Sequence, residues 1–65
     1  MFIKLTERDG DRDMYIRTQE ISMVVAIKEM EPKIFIGAFV GLKNGQSAVV
    51  KNKVEEIMPV LERAS

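Results

Sequence analysis

The dipeptide Asn44-Gly45, set between apolar runs in residues 34–51, constrains this chain more than any other feature. Asn-Gly between such runs marks a β-hairpin, because a two-residue type I′ turn needs φ > 0 at both central positions. A turn of that type sets a register. Lys43 faces Gln46, Leu42 faces Ser47, Gly41 faces Ala48, Val40 faces Val49 and Phe39 faces Val50. One face then carries Ile34, Ile36, Ala38, Val40, Leu42 and Val49. The other carries Phe35, Phe39, Ala48 and Val50, with Gly37 and Gly41 between them. An antiparallel sheet with one wet face alternates apolar and polar residues. This ribbon is apolar on both faces, so each side needs a cover.

A chain of 65 residues forms one domain, residues 1–65, with little core. Domains this small bury only about 60% of their unfolded surface and often lean on a disulfide, a metal or a partner. The chain has no Cys and no His. Disulfides, thiolate sites and the commonest metal ligand and general base are thereby removed. Oligomerisation is left as the supplement. Ten basic residues balance ten acidic ones, which gives no net pull toward nucleic acid or anionic membrane. No apolar run approaches the roughly 20 residues of a membrane span, and Lys4, Thr6 and Glu7 do not suit a signal peptide. These features point to the cytoplasm.

Residues 2–17 read as a first hairpin turning at Asp9-Gly10. Its register sets Arg8 against Asp11, Glu7 against Arg12, Leu5 against Met14 and Ile3 against Ile16. Opposite charges and apolar pairs thus meet together. Residues 18–20 connect to a third strand over 21–28, with Ile21, Met23, Val25 and Ile27 on one face and Ser22, Val24, Ala26 and Lys28 on the other. A charged loop, 29–33, contains Pro32. After the central hairpin comes a helix. Asn52 is a suitable N-cap with Glu55 three residues on, and Val54, Ile57, Met58 and Leu61 make one apolar stripe. Pro59 predicts a kink or break near Met58. The fold class is α+β: a five-stranded antiparallel, strongly twisted sheet or small barrel, built of two hairpins plus a middle strand, with one C-terminal helix.

Three candidate sites emerge. The first is self-association through Phe35, Gly37, Phe39, Gly41 and Val50, where the two glycines either form a slot for a second chain or let the strand bend. The second is a single-strand nucleic-acid surface of Lys4, Tyr15 and Arg17 with the middle lysines Lys28, Lys33, Lys43, Lys51 and Lys53, since basic grooves with exposed aromatics bind such strands. The third is calcium at Asp9, Asp11, Asp13 and Glu20, which stand at EF-hand loop positions. Met14 occupies the position where that loop needs glycine, and the flanking residues are β-like. The stripe Val54, Ile57, Met58 and Leu61 suits the core or, alternatively, a docking helix for a partner with Met58 as an adaptable contact. Enzyme chemistry has no His, Cys or phosphate-binding glycine loop to work with. No cofactor is expected.

In this order the chain resembles the FlbD/SwrD-type small proteins of flagellar operons, the swarming-motility family. The likeness is carried by Ile3-Lys4-Leu5-Thr6, Gly10, Glu20-Ile21, Val24, Leu42-Lys43-Asn44-Gly45, Val50-Lys51 and residues 54–57. Residues 29–33, the Gly37/Gly41 strand and Pro59 depart from the family pattern. The resemblance implies a cytoplasmic accessory protein acting through protein contacts in motility, without catalysis. Small proteins of phages and mobile elements share the same look.

Overall fold

A computed structural model of the chain describes residues 1–64. Five strands, one short 3-10 turn and one helix follow in order: β1 (Phe2–Thr6), β2 (Asp13–Arg17), the 3-10 turn (Thr18–Glu20), β3 (Ile21–Glu29), β4 (Phe35–Leu42), β5 (Ser47–Val50) and α1 (Val54–Ala64). The α+β class and the C-terminal helix agree with the sequence reading. The strands form two antiparallel ladders, β1-β2 and β3-β4-β5. A bridge between Glu7 and Val50 joins them, held by Arg8 N–H donating to Val49 O (2.9 Å) and Lys51 N–H to Thr6 O (2.8 Å).

The first hairpin has the expected register: Ile3 opposes Ile16, Lys4 opposes Tyr15 and Leu5 opposes Met14. Glu7 N–H donates to Arg12 O, and the Arg12 guanidinium reaches Glu7 Oε1 at 3.0 and 3.1 Å. The turn itself differs from expectation. Positive φ falls on Gly10 and Asp11 rather than on Asp9 and Gly10. Arg8 does not meet Asp11; it turns to Glu29 and lies over the Phe35 ring, while Asp11 pairs with Lys51.

The central hairpin is slipped by one residue from the type I′ expectation. Ala38 opposes Val50, Phe39 opposes Val49, Val40 opposes Ala48 and Gly41 opposes Ser47. Leu42 N–H donates to Gln46 O, and Gly45 N–H returns to Leu42 O. The loop is therefore three residues long, with positive φ at Gly45 and not at Asn44. A three-residue loop ending on a left-handed glycine is the next commonest solution for a tight hairpin. Asn44 contributes through its side chain, whose Oδ1 accepts from Gln46 N–H (2.9 Å). A one-residue slip reverses every side chain of the shifted strand. Val50 thus turns inward beside Ala38, and Val49 turns outward beside Phe39.

The inner face closes the core: Ile3, Leu5, Ala38, Val40, Val50 and Ile57 are buried, with Met14, Ile16, Ile21, Val24, Leu42, Ala48, Val54, Val60 and Leu61 packed around them. A bulge at the start of β3 shapes this face. Ile21 pairs with Leu42 and Met23 with Gly41, so Ser22 is the extra residue. Its hydroxyl donates to Gly41 O (3.2 Å). Ile21 and Val24 consequently both face inward, whereas strict alternation puts Ile21 with Met23 and Val25.

The helix starts one residue later than expected. Lys53 N–H donates to Glu56 Oε1 (3.1 Å), and Lys53 O accepts from Glu56 and Ile57 N–H. This is the returning half of a capping box, made by Glu56 instead of Glu55. Asn52 is used elsewhere: its Oδ1 accepts from Thr6 N–H (2.8 Å) and ties the end of β1 to the helix start. Pro59 does not break α1, which continues to Ala64. Pro59 is exposed and forfeits one main-chain bond, while Ile57, Val60 and Leu61 stay packed on both sides of it.

Candidate self-association surface

The outer face of the β3-β4-β5 sheet carries Met23, Val25 and Ile27 from β3, Phe35 and Phe39 from β4, and Val49 from β5, as the cross-strand pairs require. None of the six belongs to the core cluster. Met23 is 49% and Val25 45% exposed; Ile27, Phe35, Phe39 and Val49 are half-buried. Contiguous exposed apolar patches are uncommon on monomeric domains.

The half-burial on β4 comes from the face folding onto itself. A Cβ at Gly37 would meet Val50 O at 2.2 Å and the Phe35 ring at 2.6 Å. Gly37 is thus demanded by close backbone approach and by Phe35, whose ring occupies the space above it. Arg8 lies over that ring, 5.2 Å from its centre, and Arg8 Nη1 donates to Glu29 Oε1 (3.4 Å). At Gly41 the nearest atoms belong to Met23, at 3.5 and 3.6 Å. The two glycines do not leave an open slot, because Phe35 and Met23 of the same chain fill it.

Of the five residues expected in self-association, Phe35 and Phe39 lie on the outer face and Gly37 and Gly41 lie beneath side chains of that face. Val50 does not belong there: it is fully buried in the core, a consequence of the slipped register. Met23, Val25 and Ile27 take its place. Their alternation was visible in the sequence; that β3 would lie at the border of the sheet was not. Exposure continues to the end of the β3-β4 hairpin. Ile36 is 45%, Met30 59% and Ile34 69% exposed, and the molecule measures 36 × 20 × 19 Å. The hairpin end carries these apolar side chains among Lys28, Glu29, Glu31 and Lys33, and it lies outside the core.

The nucleic-acid candidates divide. Lys4, Tyr15 and Arg17 share the outward face of the first hairpin with Phe2, and the Arg17 guanidinium lies 5.7 Å from the Phe2 ring centre. Lys4 is also 3.7 Å from Asp13. The middle lysines do not join them. Lys33 and Lys43 lie beyond opposite ends of β4, an eight-residue strand about 26 Å long. Lys51 is engaged by Asp11, Lys53 precedes α1, and Lys28 lies on the inner face of β3. The calcium candidates also disperse. Asp9 lies beside Arg8, Asp11 beside Lys51, and Asp13 accepts from Thr6 Oγ1, while Glu20 is at the other end of β2. Among the described residues no three acidic groups gather to hold a metal ion.

The helix stripe serves the core through Ile57, with Val54, Val60 and Leu61, whereas Met58 is 37% exposed. Met58 and Leu61 border a shallow hollow of about 210 Å³ with residues 21–24. Among the described residues no helix is long and apolar enough to cross a membrane. Comparisons with protein-family models, with characterised proteins and with solved structures gave no match to this chain.

Proposed function

We propose that this chain is a non-catalytic protein-interaction module that self-associates as a homodimer through the outer face of the β3-β4-β5 sheet. The observation that carries this reading is the set Met23, Val25, Ile27, Phe35, Phe39 and Val49, apolar, outside the core and partly open to water. A dimer interface of ordinary size takes about 800 Å² from each partner, roughly a sixth of this chain's 4668 Å². The resemblance to the FlbD/SwrD-type family supports reading such a module as a cytoplasmic accessory protein of flagellar motility, and a phage accessory role fits the same chemistry. Light scattering at micromolar concentration tests the reading: a mass of twice the chain supports it, and a stable monomer refutes it.

A second reading rests on a different observation. Phe2 and Tyr15 are 58% and 65% exposed beside Lys4 and Arg17 on one side of the first hairpin. Flat rings with cations between them suit single-stranded nucleic acid, whose bases stack on such platforms. Binding of this type weakens steeply as salt rises. A gel shift at low salt that disappears in Tyr15→Ala supports it, and no shift at low salt removes it.

A further inference from the structure

We infer that a second copy of this chain pairs with the free side of β3, strand against strand and antiparallel, about a two-fold axis passing between the two Val25 residues. The inference rests on the proposed self-association and moves its contact from the outer face to the neighbouring border of β3.

The hydrogen bonds fix which peptide groups are free. Arg8 N–H donates to Val49 O, and Lys51 N–H donates to Thr6 O. Val49 and Lys51 therefore face β1, and Val50 between them faces β4, where its partner is Ala38. Peptide groups alternate sides along a strand. Ala38 and Val40 accordingly bond toward β5, while Gly37, Phe39 and Gly41 bond toward β3. The Ser22 hydroxyl on Gly41 O and the bond from Lys43 N–H to Glu20 O agree with this alternation. The β3 residues opposite Gly37, Phe39 and Gly41 are Ile27, Val25 and Met23. Val24, Ala26 and Lys28 are left with N–H and C=O groups pointing away from the sheet, on a strand that ends the order β3-β4-β5.

Sheet borders of this kind usually carry protection: short strands, prolines, or charges along the strand. The other border strand, β2, has it, being five residues long with Asp13 and Arg17 at its ends. β3 is nine residues long, holds no Pro, and is uncharged from Ile21 to Ile27. Its bulge at Ser22 lies at one end and leaves 23–29 regular.

Within its regular stretch, 23–29, the sequence of β3 is complementary to itself about Val25. With Val25 opposite Val25 of the second copy, Met23 meets Ile27 and Val24 meets Ala26, so every pair in 23–27 joins two apolar residues. Lys28 then meets Ser22, and no like charges oppose. A centre at Ala26 would set Met23 against Glu29 and Val24 against Lys28. A centre at Lys28 would oppose two lysines, which destabilises. In the Val25 register the outer apolar faces of both copies lie side by side, and Val24 and Ala26 exchange their unpaired main-chain groups.

Val25 and its mate form a pair without main-chain bonds between them, where Cα atoms lie about 4.5 Å apart. That spacing admits a disulfide. The chain has no cysteine of its own, so a single introduced thiol reports cleanly. Val25→Cys, oxidised in air so that two thiols give up two electrons and two protons to dioxygen, should become a covalent dimer on non-reducing electrophoresis. Ala26→Cys is the control: its two copies would lie about 8 Å apart, from the strand spacing and a two-residue offset, too far for a bond. Linking of Val25→Cys but not Ala26→Cys supports the inference. Equal linking of both, or linking of Ala26→Cys alone, overturns the register. A wild-type dimer in which neither variant links overturns the strand pairing and leaves the proposed function standing. A wild-type monomer overturns both. Ala26→Pro gives an independent reading: it deletes an outward N–H and spares the β3-β4 ladder, so a folded monomer is expected, and a persistent dimer contradicts the pairing.

Discussion

The two hairpins of this protein open on similar turn dipeptides, Asp9-Gly10 and Asn44-Gly45, yet they end in different circumstances. In β1-β2 the aliphatic residues line one face while Phe2 and Tyr15 share the other with Lys4 and Arg17, and the Glu7–Arg12 pair beside the turn accompanies the expected register. In β4-β5 the residues beside the turn are apolar or uncharged apart from Lys43, and no cross-strand charge distinguishes one register from the next. There the loop takes three residues instead of two. The comparison teaches that a glycine dipeptide marks where a hairpin turns, while register depends on what the strands bring together. It also separates a hairpin whose inner face is satisfied within the chain from a sheet that keeps an apolar outer face.

The sharpest way to break this comparison is to charge one residue of β5. Val50→Asp places a carboxylate in the buried core and should cost at least about 4 kcal/mol, enough to unfold a domain of this size. Val49→Asp places it on the outer face and should leave the chain folded. Circular dichroism of the two variants distinguishes them, and the reverse result would restore the two-residue turn.

The glycines of β4 sharpen it further. Gly37→Ala drives a methyl group into Val50 O and the Phe35 ring, and a loss of about 2 kcal/mol in urea unfolding is expected. Gly41→Ala meets only Met23 at 3.5 Å and should cost less than about 1 kcal/mol. Equal effects would show that Gly37 is not shaped by close approach.

Smaller effects concern the ends of elements. Asn52→Ala removes the acceptor of Thr6 N–H and should lower stability by about 1–2 kcal/mol. Glu56→Ala should lose about 0.5–1 kcal/mol with the cap, and Glu55→Ala should lose less. If Glu55→Ala proves the more damaging, the cap belongs one residue earlier. Smallest of all, Arg12→Ala breaks an exposed pair on the first hairpin, and a change of no more than about 0.5 kcal/mol is expected in thermal unfolding.

Much of the fold was legible because several signals coincided. In β1-β2, turn glycine, charge pairing and apolar alternation agree, and the register follows from any two of them. The order of five strands and the helix could be read from breakers and periodicity alone. What escaped the sequence depends on choices between nearly equal local options. Asn44-Gly45 suits both a two-residue turn and a three-residue loop that needs only Gly45 in the left-handed region. Asn52 and Glu55 compete with Lys53 and Glu56 for the cap, and the demand of Thr6 N–H for an acceptor is invisible from position 52. Ser22 looks like one more alternating residue, but it is the bulge that turns Ile21 inward. The candidate site was legible as two apolar faces. Its membership was not, since exchanging Val50 for Val49, and adding Met23, Val25 and Ile27, required both the slipped register and the position of β3 at the sheet border.

Sedimentation equilibrium of the wild-type chain beside Val25→Lys at micromolar concentration tests most directly whether this outer face is an interface. A wild-type mass of twice the chain, falling to one chain in a Val25→Lys variant that keeps its circular dichroism, is the result expected. A wild-type monomer, or a dimer indifferent to the lysine, would contradict the account.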